Sequence, residues 1–193
     1  CIQGGYEGEG NLDVDPLLVG APDGSLRLLA GSPCVDAGTP DGAPAEDLLG
    51  VPRPQGAGVD MGPYEGAVAE EDVVTLTITT EPEGIGWIAP APGVHRRVRG
   101  ESVAFNAVRR NGADFSHWEG DVSGTDPLMS MVLSGDTRVT AVFTQNIYRV
   151  DAMSTAESPD GRSWATAYPN FQAAVSAAHA VSGGEVWVRD GVY

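Results

Sequence analysis

The sequence predicts a mainly β protein, and three observations carry that prediction. Four runs alternate apolar and polar side chains, at 74–78, 103–107, 129–133 and 139–143. A period of two places one set of side chains on a buried face and the other in solvent, which is typical of strands. No convincing amphipathic helix lies between these runs, and 26 glycines with 14 prolines indicate many turns. Residues 73–144 are therefore predicted to form a small antiparallel β module.

Composition limits the partners of this chain. Its 193 residues are enough for one or two ordinary domains, and its net charge of −16 repels nucleic acid and anionic lipid. No apolar run is long enough for membrane insertion. The sequence begins at Cys1 without a basic-then-apolar leader and ends on Gly191-Val192-Tyr193, which looks like the edge of a strand. We therefore expect an internal piece of a longer polypeptide.

Residues 1–66 are rich in Gly, Asp and Pro around short apolar bursts. Three motifs follow in order, at Gly8–Val19, Gly31–Gly38 and Val59–Glu65. Together they resemble the carboxy-terminal closing segment of secreted right-handed parallel β-helix proteins of the pectate-lyase-like superfamily. The resemblance implies that further rungs of a β-helix lie upstream.

Two features of this first segment each have two interpretations. Asn11, Asp13 and Asp15 could supply oxygen ligands to calcium, but turns shaped by Asx side chains are favoured, because a bidentate Glu at loop spacing is missing. No other cofactor is expected. Cys1 and Cys34 could form a disulfide, but two thiols packed as small apolar side chains are favoured.

Residues 67–72 form an acidic connector, and a second resemblance follows it. Its motifs are Leu76–Ile78 with Pro82, Gly84 and Gly86, the turn at 91–93, Phe115–Asp121 and the run Val139–Phe143. The 73–144 segment resembles the divergent internalin-type B-repeat module of bacterial surface proteins. That resemblance implies a β-grasp-like or small β-sandwich unit with a spacer or adhesive role and no known chemistry. The chain departs from the pattern at Trp87, where a small polar residue is expected.

The aromatic candidates in this module are two tryptophans. Trp118 is expected in the core, with its indole N–H bonded to the backbone. Trp87, on a short edge strand, could be a sugar-stacking platform, although covering the sheet edge is favoured.

The only basic cluster lies in the same module, and its side chains are His95, Arg96, Arg97, Arg99, Arg109 and Arg110. If the two runs face each other across a hairpin, the arginines form a positive patch able to grip an anionic polysaccharide. A solvated face paired with Glu81, Glu83 and Glu101 is the favoured alternative.

A catalytic triad of Ser116, His117 and Asp121 is rejected. Side chains at 116 and 117 on a strand point to opposite faces, so they cannot share a proton. No catalytic residue is predicted.

In residues 145–193 the sequence predicts a strand at 147–150, a helix capped by Asn170 and a strand at 185–188 after Gly183-Gly184. The apolar stripe of the helix is Phe171, Ala174, Val175 and Ala178. The segment resembles the amino-terminal cap of a second right-handed parallel β-helix, since a short amphipathic helix can cover the open end of a solenoid. An ordinary β-α-β piece of another fold has the same order of elements.

The complete prediction is a junction between two β-helices with one B-repeat-like module between them. Its expected role is a non-catalytic structural or adhesive section of a large secreted or surface-displayed bacterial protein. The expected partner is an extracellular polysaccharide or a host or neighbouring surface. Two alternatives are a section of a polysaccharide lyase or hydrolase whose catalytic rungs lie outside this chain, and a glycan-binding module.

Overall fold

The protein is described by a computed structural model that covers residues 10–20, 25–110, 113–180 and 184–189. Within these ranges the chain is mainly β, as the sequence predicts, with a single α-helix. The elements in chain order are β1 Leu18–Gly20, β2 Ser25–Leu28, a 3-10 turn Glu70–Asp72, β3 Val73–Glu81, β4 Trp87–Ala89, β5 Gly93–Val98, β6 Ser102–Val108, β7 Ala113–Gly120, β8 Leu128–Val132, β9 Thr137–Gln145, β10 Ile147–Val150, α1 Phe171–Ala180 and β11 Glu185–Val188.

The strands of the described residues form four sheets. Two are pairs, β1 with β2 antiparallel and β10 with β11 parallel. A four-stranded sheet has the order β5-β3-β9-β7, and a three-stranded sheet has the order β4-β6-β8. The short runs predicted between residues 73 and 144 are all strands, and three further strands lie between them.

The period-two pattern of the sequence is confirmed by burial. Along β3 the side chains of Val74, Leu76 and Ile78 are buried, while their neighbours are at least partly exposed. In β6 and β9 the apolar positions are buried in the same alternating way. Each of these strands therefore presents one apolar face to the interior, as the hydrophobic effect requires of a half-buried sheet.

The chain divides into two compact units, each assembled from segments that are distant in the sequence. The first unit comprises the described residues within 1–77, 94–103 and 131–137, and the second those within 78–93, 104–130 and 138–193.

In the first unit an apolar cluster joins the amino-terminal strands to the start of the middle module. Val19, Leu29 and Val68 are buried together, and Val73 and Val98 pack against them. A parallel bridge between Leu29 and Val68 reinforces this contact.

Residues 30–66 contain few ladder hydrogen bonds and are organised by buried carboxylates. The Glu65 carboxylate accepts hydrogen bonds from Arg53 and from the amides of Asp60 and Gln55. The Asp60 carboxylate accepts from the Asp36 amide at 2.8 Å. These contacts clamp the two sequence motifs at 31–38 and 59–65 to each other.

The favoured interpretation of the cysteines is wrong, because Cys34 is disulfide-bonded and 1% exposed. The sequence has one other cysteine, Cys1, which lies outside the described residues.

In the second unit Trp118 is 2% exposed, and the prediction for its side chain is confirmed. Its indole N–H donates to the backbone carbonyl of Asp126 at 2.7 Å. The ring meets Phe115 at a centroid distance of 4.9 Å and Phe105 at 6.0 Å. A large apolar ring with its one donor satisfied is the arrangement that buried tryptophans need.

The carboxy-terminal strand–helix–strand unit is confirmed, with one correction. The Asn170 side chain accepts a hydrogen bond from the Ala173 amide at 2.8 Å and caps α1. Ala174 and Ala178 of the predicted stripe are buried against β10, but Phe171 is 52% exposed. Ala177 packs on the cluster instead, so the buried face is rotated toward the small side chains. Gly183 lies outside the described residues.

Candidate functional site

Trp87 begins β4, which is an edge strand of the three-stranded sheet and pairs with Val108 of β6. The residue is 43% exposed, so part of its ring covers the sheet and part meets solvent. Covering the edge and stacking on a sugar both require this placement, and both stay predictions.

The hairpin that would bring the two arginine runs together is not formed. Arg96, Arg97 and Arg99 lie on β5 or just after it, whereas Arg109 and Arg110 follow β6. β5 pairs with β3, and β6 pairs with β4 and β8 in another sheet. The predicted hairpin requires β5 and β6 to pair, but the two strands lie in different sheets.

Some of these arginines have the ion pairs that the alternative interpretation expects. Arg97 Nη1 lies 3.8 Å from Oε1 of Glu101, a predicted partner, whereas two other arginines pair with acids that were not predicted. Arg96 pairs with Glu70, and Arg109 Nε lies 2.9 Å from Asp114 Oδ1. Both pairs are well exposed to solvent, so each contributes little.

Two arginines of the first run line a pocket of about 370 Å³ in the first unit. Side chains on a strand alternate, so Arg97 is buried together with His95 on one face while Arg96 is exposed on the other. A turn at Gly100, whose φ is +85°, then brings Arg99 to the same pocket.

Arg99 is fixed by neutral acceptors. Its Nη1 donates to the carbonyl of Ser134 and its Nη2 to the carbonyl of Glu71 at 3.3 Å. Its own amide donates to the Asp72 carbonyl at 2.7 Å. Carbonyl groups orient a guanidinium without cancelling its charge, so these contacts leave Arg99 cationic.

The pocket is completed by residues that the sequence analysis did not select. Arg27 of β2 lies over the ring of Tyr64 at 5.7 Å, and both line the cavity. The Arg27 Nε atom is buried and donates no hydrogen bond within the described part of the chain. The available signal was a lone arginine inside the apolar run Leu26-Arg27-Leu28, but its meaning depends on contacts with residues far along the chain.

The predicted separation of the Ser116 and His117 side chains is wrong, because the two are in contact. A register shift lies between Phe115 and His117 where β7 pairs with β9, so alternation is interrupted at Ser116. Ser116 Oγ lies 3.0 Å from His117 Nδ1, and His117 Nε2 lies 2.9 Å from Glu119 Oε1.

The resulting Ser–His–Glu chain uses Glu119 rather than Asp121, whose carboxylate accepts from the Arg138 amide. The side chains of His117 and Glu119 are 40% and 60% exposed, so water competes for these hydrogen bonds. A catalytic triad also needs a preorganised oxyanion site next to the nucleophile, and three linked polar groups on a strand do not supply one.

Among the calcium candidates, Asp15 makes the turn contact that the favoured interpretation expects. The Asp15 carboxylate accepts from the Leu17 amide at 2.9 Å, which is an Asx turn. Asp13 also has a partner. Within the described ranges no group of three or more His, Cys, Asp or Glu side chains has a metal-binding arrangement.

A second exposed set of arginine and aromatic side chains was missed by the sequence analysis. Arg149 lies 5.9 Å from the Trp164 ring and 5.7 Å from the Trp187 ring, and Arg189 lies 5.3 Å from Trp164. Arg189 also pairs with Asp151 at 2.6 Å. A hydrogen bond from the Met153 amide, supported by Arg189, holds the pKa of the Asp151 carboxyl below its usual value.

The structure therefore defines a class, a mainly β chain with an arginine-lined pocket formed by β2, the end of β5 and residues from 30–66. Comparison with known families then assigns the middle segment: residues 66–147 match the family described as Divergent InlB B-repeat domain. This match confirms the resemblance of residues 73–144 to the internalin-type B-repeat module. No curated protein and no solved structure matches the chain. Among the described residues no helix is long and apolar enough to span a bilayer.

Proposed function

We propose that this chain is a non-catalytic structural or adhesive section of a large secreted or surface-displayed bacterial protein. The observation that carries the proposal is the match of residues 66–147 to the B-repeat family, whose members occur in surface proteins. The geometry is compatible with a mechanical role, because the module buries an alternating apolar face and its largest aromatic core residue has its polar atom satisfied.

The finer proposal for the module is a small β-sandwich rather than a β-grasp-like unit. Residues 73–110 and 113–144 form strands of two sheets, and these described residues include no helix. A β-grasp unit needs a helix packed on its sheet, whereas a sandwich needs only two sheets with apolar inner faces.

For the flanking segments we propose the end of one parallel β-helix and the start of another. Support at the carboxy-terminal side comes from β10 and β11, which pair in parallel from Ile147 with Glu185 to Val150 with Val188. The intervening helix packs on β10, as a cap over the first rung would. At the amino-terminal side, the clamp between motifs 31–38 and 59–65 suits a closing segment.

Two alternatives differ from the spacer role in what they require. A lyase or hydrolase section requires paired carboxylates on rungs outside this chain. A glycan-binding module requires a site on this chain, and the arginine-lined pocket is the observation that favours it.

A replacement experiment separates the spacer role from an adhesive or glycan-binding role of residues 66–147. In the full-length protein, residues 66–147 are exchanged for an unrelated compact β domain of similar size, and adhesion of the cells is measured. A spacer tolerates the exchange, so adhesion near that of the parent is expected. Adhesion lost on exchange would show that the segment itself makes contacts. Protease shaving of intact cells checks the location, since a surface protein releases peptides from this segment while a cytosolic marker stays intact.

A further inference from the structure

We propose that the pocket bounded by Arg27, Tyr64, Arg97 and Arg99 binds the carboxylate or sulfate group of an acidic sugar. This proposal is independent of the spacer role, because it depends on the side chains of one pocket and not on the family match. The pocket lies within the first compact unit.

The charge of the pocket opposes the charge of the chain. Three guanidinium groups line it, and Glu101 is the one acidic side chain among the described lining residues. The chain as a whole carries a net charge of −16. A local excess of positive charge on a strongly acidic protein attracts a small anion at short range, while the surrounding acids repel large polyanions.

Among the described lining residues, Glu101 forms an ion pair with one of the three guanidinium groups, that of Arg97. Glu101 Oε1 lies 3.8 Å from Arg97 Nη1, and Glu101 Oε2 accepts from the Val98 amide at 3.3 Å. One carboxylate therefore serves both a guanidinium and a backbone donor. Arg99 is held by carbonyl groups and Arg27 by an aromatic ring, and both kinds of partner are uncharged.

The guanidinium groups are also preorganised, which favours binding. The Arg27 side chain is fixed over Tyr64, Arg97 is 7% exposed, and Arg99 is tied to two carbonyls. Guanidinium groups that are already held in place lose little conformational entropy when they bind a planar carboxylate or a sulfate. The buried Arg27 Nε–H donates no hydrogen bond within the described residues. An oxyanion bound in the pocket would supply an acceptor for this donor.

The size and the walls of the pocket indicate an anion carried on an organic body. A volume of about 370 Å³ lies within the range of small-molecule sites and exceeds the needs of a bare ion. Tyr64 and Leu49 add apolar surface to the lining, against which the ring of a sugar can rest. A uronic acid and a sulfated hexosamine both combine an oxyanion with such a ring.

The test is a binding titration of the whole 193-residue chain followed by NMR or calorimetry. The probes are D-glucuronic acid, glucosamine 6-sulfate, neutral glucose and sodium sulfate. We expect saturable binding of at least one acidic sugar, weakening as NaCl is raised, and none of glucose. The tighter of the two acidic sugars identifies the oxyanion as carboxylate or sulfate. Absence of binding by both, or sodium sulfate binding as tightly as either, overturns the proposal.

Three arginine variants give the test its specificity. Arg27→Gln and Arg99→Gln each remove one pocket guanidinium and are expected to weaken binding about tenfold or more, the loss of a charge-assisted contact. Arg96→Gln is the matched control, because it removes the same charge from the exposed face of β5 and does not line the pocket. It should change affinity less than about twofold, since exposed charges are screened.

Folding of each variant is checked by near-ultraviolet circular dichroism. If Arg27→Gln is unfolded, Arg99→Gln, whose side chain is exposed, decides the question alone. Equal losses of affinity in Arg96→Gln and Arg99→Gln would mean that binding depends on the overall charge of the protein and not on the pocket. That result would overturn the proposal.

Discussion

Residues 30–66 and the strands of residues 73–144 satisfy their backbone N–H groups in different ways. In the middle module, neighbouring strands supply the acceptors, and the side chains are left to fill an apolar interior. In residues 30–66, side-chain carboxylates supply many of the acceptors. Asp47 alone accepts from the amides of Leu49, Val51 and Glu65. One region is thus stabilised mainly by packing and the other mainly by charge-assisted hydrogen bonds.

This difference determines which kind of substitution should destabilise each region. A packed module loses stability when volume is removed or added, because its interior has little spare space. A carboxylate network loses stability when a charge is removed, because the buried partner remains without its acceptor. Substitutions chosen in each region therefore test whether this division is correct.

The largest effect is expected at Trp118, the largest of the fully buried side chains of the module. Trp118→Ala should reduce the free energy of unfolding by about 3 to 5 kcal/mol, through lost burial and a residual cavity. Trp87→Ala is the matched control, since Trp87 is 43% exposed and should lose about 1 kcal/mol or less. Urea denaturation followed by circular dichroism measures both. Equal losses would mean that the core is not centred on Trp118.

The corresponding test in residues 30–66 is Glu65→Gln. The side chains of Arg53 and Glu65 are 5% and 1% exposed and lie 2.6 Å apart. Removing one charge leaves Arg53 buried without its counter-ion, which should cost about 3 kcal/mol.

Glu70→Gln is the control for this network, because Glu70 pairs with Arg96 at the surface, where a loss of about 0 to 1 kcal/mol is expected. Hydrogen exchange at the Asp60 and Gln55 amides, both bonded to Glu65, locates the effect. Unchanged protection of these two amides in Glu65→Gln would contradict the network.

A smaller effect in the module is expected from two neighbouring glycines. Gly84 and Gly86 have φ values of +74° and +73°, so alanine is strained at both. A Cβ at Gly84 meets open space, whereas a Cβ at Gly86 would overlap the ring of Phe143. Gly84→Ala should cost about 1 kcal/mol, and Gly86→Ala about 2 kcal/mol more, because the packed ring must move. Denaturation midpoints that are the same for both variants would show that the ring adapts freely.

The two regions also differ in how much of them the sequence predicts. The strands of the module follow from alternation within a few residues, and the capping of α1 follows from Asn170 alone. The interruption at Ser116 is not visible, because a bulge depends on the register with β9. The disulfide of Cys34 and the carboxylate network depend on contacts between distant residues, which no local pattern records.

The candidate site shows the same limit. Arg97 and Arg99 are found by their charge, but the sequence groups them with Arg109 and Arg110 on the assumption of a hairpin. Arg27 becomes part of the site only because the first unit brings β2 close to the end of β5. Charge density along the chain therefore identified two pocket residues, and tertiary contacts were needed for the third.

The smallest predicted effect is a dependence of stability on acid that comes from Asp47, in residues 30–66. Burial raises the pKa of Asp47, but hydrogen bonds from the amides of Glu65, Val51 and Leu49, with the nearby Arg53 charge, outweigh it and hold the pKa below its usual value of 3.8. A carboxyl group whose pKa is lowered by folding adds stability above its unfolded pKa. That stability is lost as the pH falls through the folded value.

Urea denaturation of the parent and of Asp47→Asn at pH 7, 5, 4 and 3 measures this dependence. Asparagine keeps a carbonyl acceptor but cannot ionise, so the variant should be less stable than the parent at pH 7 and 5. The gap should narrow below about pH 4, where the Asp47 carboxylate of the unfolded parent begins to take up a proton. Asp126→Asn is the comparison from the module, where a carboxylate accepts from one backbone amide, that of Leu128 at an exposed position. A gap between parent and Asp47→Asn that stays constant down to pH 3 would show that Asp47 acts by shape and not by charge. The assignment of residues 30–66 as a charge-stabilised region would then be wrong at Asp47.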